Sequence, residues 1–205
     1  VGTANVLELC RVNKVSRLIY SSTSSSYGKK ALLPNQETQS PDPLTPYSAA
    51  KVFGENLARV YYNLYGLKTI SLRYFNVYGD RQPLKGQYAP VIGIFLRQKN
   101  AGESLTIVGD GEQRRDFTHV SDVVAANILA ATTEVDDKCY GQMYNVGNGV
   151  NYSINEIADS ISDNQVNIPP RVGEARTTLA NSSKLRNTFR WNPKVSLFDW
   201  IGENK

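Results

Sequence analysis

The sequence predicts an α/β protein built on a largely parallel sheet, and three observations carry that reading. Short runs rich in β-branched and aromatic residues alternate with stretches of helical periodicity along all 205 residues. The connections between them are polar and rich in glycine and proline, and no internal repeat is visible. Helices then cover the faces of a sheet, and ligands of such open sheets bind at the carboxyl ends of the strands.

The elements follow in order. From Gly2 to Asn13, Val6, Leu7, Leu9 and Cys10 fall at helical spacing. Val15 to Tyr20 reads as a strand, and the serine tract Ser21 to Ser26 closes in a turn at Tyr27-Gly28. A flexible linker is the competing reading of the serines, but their place between a strand and a helix argues for a sheet edge. A proline-rich polar loop, Lys29 to Thr45, leads to Pro46, which suits the first turn of a helix running to about Tyr65 before Gly66 stops it. Lys68 to Val77 is a second strand. Asp80 to Tyr88 is a polar loop, Val91 to Gln98 an apolar helix, Ser104 to Val108 a strand, and Gly109-Asp110-Gly111 a tight turn. A helix capped by Ser121 runs to about Thr132, and Met143 to Val146 is a strand. Ser153 and Glu156 are spaced as the capping box of a small helix, and a tail helix from Ser182 to Asn192 ends before Pro193.

Composition narrows the function. A hydrophobic content of 40% is enough for a sizeable core, and no stretch approaches the roughly 20 apolar residues of a membrane span. Val1 to Asn5 shows no basic leader ahead of an apolar run, and Cys10 and Cys139 are isolated thiols, expected in the core of a protein kept reduced. A cytoplasmic protein with no membrane partner is therefore expected. His119 is the only histidine, so no metal site is expected; a net charge of +4 without a dense Lys/Arg stripe argues against nucleic acid.

The chemistry concentrates in Tyr47-Ser48-Ala49-Ala50-Lys51 and the upstream Ser21-Ser22-Thr23. Tyr47 and Lys51, four apart, share one helical face, and an ammonium there favours ionisation of the phenol toward a general base. Thr23, at the end of a strand, offers a hydroxyl to the same substrate oxygen. The arrangement suits removal of a proton from a sugar alcohol while a hydride departs. By themselves a Tyr and a Lys one helical turn apart are common surface features; it is the combination that points to chemistry.

With these residues in place, the chain resembles the extended short-chain dehydrogenase/reductase family, and within it the UDP-glucose and UDP-N-acetylglucosamine 4-epimerases. The resemblance rests on Gly2 to Glu8, Tyr20 to Gly28, Pro46 to Lys51, Leu72 to Gly79, Arg115-Asp116-Phe117, Tyr144 to Gly147 and Arg171 to Glu174, in that order. It implies a partial Rossmann-type doubly wound parallel sheet (residues 1–78) with a smaller α/β substrate-binding domain (79–205), residues 113–147 returning to the first. The glycine-rich phosphate turn that opens such a fold is not found in these residues, so an amino-terminally incomplete chain, and doubtful NAD binding by it alone, are expected.

The resemblance further implies NAD as cofactor, a UDP-sugar as substrate and a homodimer formed through the Tyr47 helix, with Tyr61, Tyr62 and Tyr65 as contributors or as internal packing. It makes Tyr47 the base, gives Lys51 the nicotinamide ribose, puts Thr23 in the catalytic Ser/Thr position and sets Tyr74 against the nicotinamide. Ser24 and Ser25 would face the sugar, Asn76 and Arg115 the diphosphate, and Arg171 and Glu174 the nucleotide, with Ala89 and Val108 beside the base. An ion pair on a turn is the competing reading of Arg115-Asp116, a solvated carboxylate that of Glu174, and ordinary core that of Ala89 and Val108. Thr178 matches a gate beside the sugar, where a small residue leaves room for an N-acetyl group; simple packing is its alternative. Ser24 and Ser25 stand where related dehydratases and decarboxylases carry carboxylates, which favours epimerisation at carbon 4. A UDP-glucuronate epimerase, another reductase or dehydratase on the same scaffold, and a non-catalytic nucleotide-sugar binding module or inactive fragment stay open at this stage.

Overall fold

A computed structural model describes residues 1–86, 89–170 and 175–205. In chain order its elements are α1 (Gly2–Val12), β1 (Leu18–Thr23), α2 (Pro46–Tyr65), β2 (Thr69–Tyr74), β3 (Asn76–Tyr78), α3 (Val91–Asn100), β4 (Leu105–Val108), β5 (Arg114–His119), α4 (Val120–Thr132), β6 (Gln142–Val146), β7 (Asn151–Ser153), α5 (Ile154–Ile161), β8 (Gln165–Ile168), α6 (Ser183–Phe189) and α7 (Leu197–Asn204).

The first sheet is parallel, ordered β1-β2-β6, with helices on both faces. β2 shows why the two faces differ. Its even positions, Ile70 and Leu72, pack with Val123, Ala126 and Ala130 of α4 and Leu185 and Phe189 of α6. Its odd positions, Thr69, Ser71 and Arg73, are equally buried but polar, and α2 lies over that side. α2 is well specified at both ends: Thr45 and Ser48 form a capping box, Pro46 opens the helix, and Gly66 closes it at φ 69°.

A second group of elements follows β2. The single strand expected over Lys68 to Val77 divides at Phe75, whose N–H bonds to Val146, and β3 departs to a different sheet ordered β3-β5-β7. β3 and β5 are parallel, β5 and β7 antiparallel, and β4 pairs with β8 in a separate parallel ribbon. Tyr78, Phe95, Leu105, Phe117, Ile157 and Trp200 centre the core that these share with α3, α5 and α7. Within residues 113–147, β5 belongs to this second group while β6 completes the first sheet.

Other expectations shift in detail. His119, not Ser121, caps α4: its Nδ1 accepts the Ser121 N–H at 3.2 Å. The tail helix stops at Phe189 because Arg190 turns into the left-handed region at φ 55°. Cys10 and Cys139 are free thiols and only half-buried. Among the described residues no helix is long and apolar enough to cross a membrane, and no group of three or more His, Cys, Asp or Glu side chains is arranged to hold a metal.

Candidate active site

A cleft of about 920 Å³ opens at the carboxyl ends of β1 and β2, bounded on the far side by β4, β5 and the segment around Thr178. Thr23, Ser24, Ser25, Tyr47, Tyr74, Asn76, Ala89, Val108, Arg115 and Thr178 all line it. These ten residues come from seven separate stretches of chain, and the fold brings them to one cleft. Arg171 and Glu174 lie outside the described residues.

Thr23 ends β1 and caps a 3-10 turn, Ser24–Tyr27; its Oγ1 accepts the Ser25 N–H and donates to Ser25 Oγ, both at 3.2 Å. Tyr47 sits in the first turn of α2, half its surface free toward the cleft. Lys51, one turn later, does not line the cleft. Its Nζ donates to the Ser21 carbonyl at 2.8 Å and lies 5.4 Å from the Tyr20 ring centre and 5.9 Å from that of Tyr47. The ammonium is thereby held beside the phenol from behind.

Tyr74 leaves the sheet on the α4 side, where its hydroxyl donates to Asn127 Oδ1 at 2.9 Å and meets Ser21 Oγ at 3.1 Å. Arg115 lies in strand β5, not on a turn; its Nη1 donates to the carbonyls of Arg114 (3.0 Å) and Arg176 (3.3 Å). Thr178 Oγ1 accepts the Asp116 N–H at 3.4 Å while its side chain faces the cleft.

Sequence reasoning missed the polar layer beneath this wall. Glu55 of α2, buried to 3% exposure, accepts from Ser22 Oγ at 2.5 Å and from Arg73 Nε and Nη2 at 2.8 and 2.7 Å. The Arg73 guanidinium is fully buried over the Tyr27 ring, 4.7 Å from its centre. Burial works against the Arg73 charge, but the bonds to Glu55 more than offset this and raise its pKa. Burial likewise pushes the Tyr27 phenol up to about 12, and its hydroxyl donates to Asn145 Oδ1 at 2.7 Å. One signal was available: Glu55 stands two helical turns from Tyr47 and one from Lys51, and Arg73 puts the one charge into the strand Thr69–Tyr74.

Comparison with known proteins fits this geometry. Residues 1–147 match the NAD dependent epimerase/dehydratase family. The chain belongs to that family. Among its relatives is a UDP-glucose 4-epimerase of Mycolicibacterium smegmatis, 34% identical over 210 residues that cover 99% of this chain and 66% of the relative. The UDP-glucose 4-epimerase of Thermotoga maritima, solved with UDP-glucose, superposes with a TM-score of 0.92 at 34% identity over 99% of this chain and 66% of its own. A UDP-N-acetylglucosamine 4-epimerase from Methanobrevibacter ruminantium, in complex with UDP-N-acetylmuramic acid, gives 0.91 at 33% identity, covering 98% of this chain and 66% of its own. This family member thus spans 66% of the length of each, and its Rossmann-like α/β architecture is theirs.

Proposed function

We propose that the protein interconverts UDP-hexoses epimeric at carbon 4, with NAD as cofactor, through a transient 4-keto sugar, and that UDP-N-acetylglucosamine and UDP-glucose are its substrates. The observation that carries this reading is the joint presence of Thr23, Tyr47 and Arg115 on one cleft, with Lys51 behind the phenol.

The residues fit a nicotinamide cofactor at its reactive end: an exposed phenol, a lysine ammonium one turn away and the Tyr74 ring share the edge of a parallel sheet. When bound, NAD supplies the acceptor and then the donor of the hydride at carbon 4. Tyr47 takes the proton from the 4-hydroxyl and later returns it; Thr23 holds the same oxygen by a hydrogen bond; the Lys51 ammonium stands one helical turn behind the phenol. Asn76 and Arg115 hold the diphosphate, for which a guanidinium fork is well suited, and anchoring there lets the planar keto sugar turn over between the two half-reactions. Ser24 and Ser25 offer no carboxylate to protonate a leaving hydroxyl at carbon 6. Small Thr178 leaves space for an N-acetyl group.

Exposed Val6 and Leu9 on α1 and Phe53, Val60, Leu64 and Tyr65 on α2 support a homodimer through these helices. Tyr61 and Tyr62 are engaged within the subunit, with Glu8 and the Asp137 carbonyl. Sedimentation at several concentrations tests the dimer.

The catalytic test is proton NMR of UDP-N-acetylglucosamine incubated with the protein and NAD. The expected product is the carbon-4 epimer, and Tyr47→Phe should slow its formation about 10²- to 10⁴-fold while UDP-sugar affinity stays within a few fold. A 4-keto-6-deoxy product, or undiminished activity of Tyr47→Phe, would refute the assignment.

A further inference from the structure

Five polar contacts join α2 to the sheet. Lys51 Nζ donates to the Ser21 carbonyl at 2.8 Å, Tyr20 Oη to the Lys51 carbonyl at 3.3 Å, and Thr69 Oγ1 to the Ala58 carbonyl at 2.8 Å. The other two converge on Glu55, from Ser22 of β1 and from Arg73 of β2. Ser22 and Arg73 are register partners, so both side chains leave the sheet on the α2 side. The next pair in that register is Thr23 and Tyr74, both on the cleft. Glu55 itself shares a helix with Tyr47 and Lys51.

We propose that Glu55 and Arg73 are positioning residues for proton transfer at Tyr47: their buried ion pair, with Ser22, fixes the helix that carries the phenol against the strand ends that carry Thr23 and Tyr74. The role in catalysis rests on the epimerase reading above; the geometric claim does not.

Stability alone is a weak reason for such a pair. Two charges drawn from water recover little net free energy even when well bonded, and registry is the best-attested use of a buried ionic contact. Arg73 Nη1 finds no acceptor of good geometry among the described residues, so the guanidinium is not even fully satisfied. Direction is what the pair supplies. Carboxylate and guanidinium meet as a two-point fork (Nε to Oε1, Nη2 to Oε2), which fixes rotation as well as distance between helix and sheet. An apolar contact of the same size would let α2 slide or roll. A displacement near 1 Å at a reacting group costs on the order of a hundredfold in rate.

The test uses the full chain labelled with 3-fluorotyrosine, the Tyr47 resonance being identified by its loss in Tyr47→Phe. Glu55→Gln keeps the side-chain volume but removes the charge that holds Arg73. Its kcat is expected to fall about 10- to 100-fold with KM for the UDP-sugar within about twofold, while the Tyr47 fluorine signal shifts or broadens and those of Tyr78 and Tyr152, in the second core, stay put. Unchanged kcat together with an unmoved Tyr47 signal overturns the proposal, as does a uniform disturbance of all tyrosine signals, which marks a general structural defect. If the unsubstituted protein binds NAD and UDP-sugar yet shows no turnover, the epimerase reading fails; with or without turnover, the fluorine spectra decide the geometric claim by the same criterion. If Glu55→Gln does not fold, Ser22→Ala, which removes one bond to the carboxylate, replaces it: a selective shift at Tyr47 supports the proposal and its absence overturns it.

Discussion

The Tyr20 ring occupies the space that a β-carbon on Gly54 would need. A methyl group there would lie 2.1 Å from Tyr20 Oη and 2.3 Å from Cζ. In an exposed helix a change from glycine to alanine gains about 1 kcal/mol. Here the overlap reverses the sign, because a ring inserted between helix and sheet must move and over-packing costs about 1–3 kcal/mol.

Gly54→Ala should therefore lower the denaturant midpoint and reduce turnover. Tyr20→Leu/Gly54→Ala should recover much of the lost stability. The check is a double-mutant cycle by urea unfolding; additive effects would mean that the two residues do not share this space.

The buried pair gives a second cycle. Removing one partner strands a charge, so Arg73→Met is expected to cost about 3–5 kcal/mol. Arg73→Met together with Glu55→Leu leaves no stranded charge and should cost less than Arg73→Met alone. Calorimetric or urea unfolding of the three proteins measures this.

Asp116 supplies a pH dependence. Its carboxylate is fully buried, and that burial raises the pKa to about 6, although Oδ1 accepts the Asn148 N–H and Oδ2 the N–H groups of Gly149 and Ala180 at 2.8 to 3.0 Å. A raised carboxyl means that the folded state binds its proton first. Its stabilising contribution is complete below the ordinary value of 3.8 and is lost as pH rises through about 6. The span corresponds to about 3 kcal/mol. Asp110 has the opposite sign: bonded to Arg176, it is held down to about 2, so its contribution is present above 3.8 and lost as pH falls toward 2. Between pH 4 and 6 the slope due to Asp116 should disappear in Asp116→Asn, and carbon NMR should show its carboxyl titrating near 6.

Substrate breadth should respond to position 178. With Thr178→Tyr, kcat/KM for UDP-N-acetylglucosamine is expected to fall at least about tenfold relative to UDP-glucose, the range by which pocket filling discriminates. Competition assays on mixed substrates read the ratio directly, and an unchanged ratio removes Thr178 from the gate.

What the sequence made legible was local. Pro46, Gly66 and the four-residue interval of Tyr47 and Lys51 are signals contained in one helix, and that helix formed as expected. Strand β5 was not legible: Arg114-Arg115-Asp116-Phe117-Thr118-His119 carries charges that suggest a turn. Asp116 is tolerable in the interior only because Asn148, Gly149 and Ala180 bring their N–H groups to it from more than thirty residues away. The same holds for Glu55 and Arg73, whose purpose appears only when helix and strand are superposed. α7 is short and its burial depends on the second core rather than on its own periodicity, and β8, half-exposed, is held by its pairing with β4.

The two sides of β2 carry one further consequence. Where Ile70 and Leu72 meet α4 and α6, many apolar side chains of similar volume would serve, and a drifting lineage can exchange them freely. Where Arg73 and Ser22 meet Glu55 of α2, the side chains answer one another, so a lone replacement there is punished and a rescue must change both sides of the contact. The molecule is therefore plastic on its oily flank and brittle on its polar one, and engineering for robustness should begin on the former.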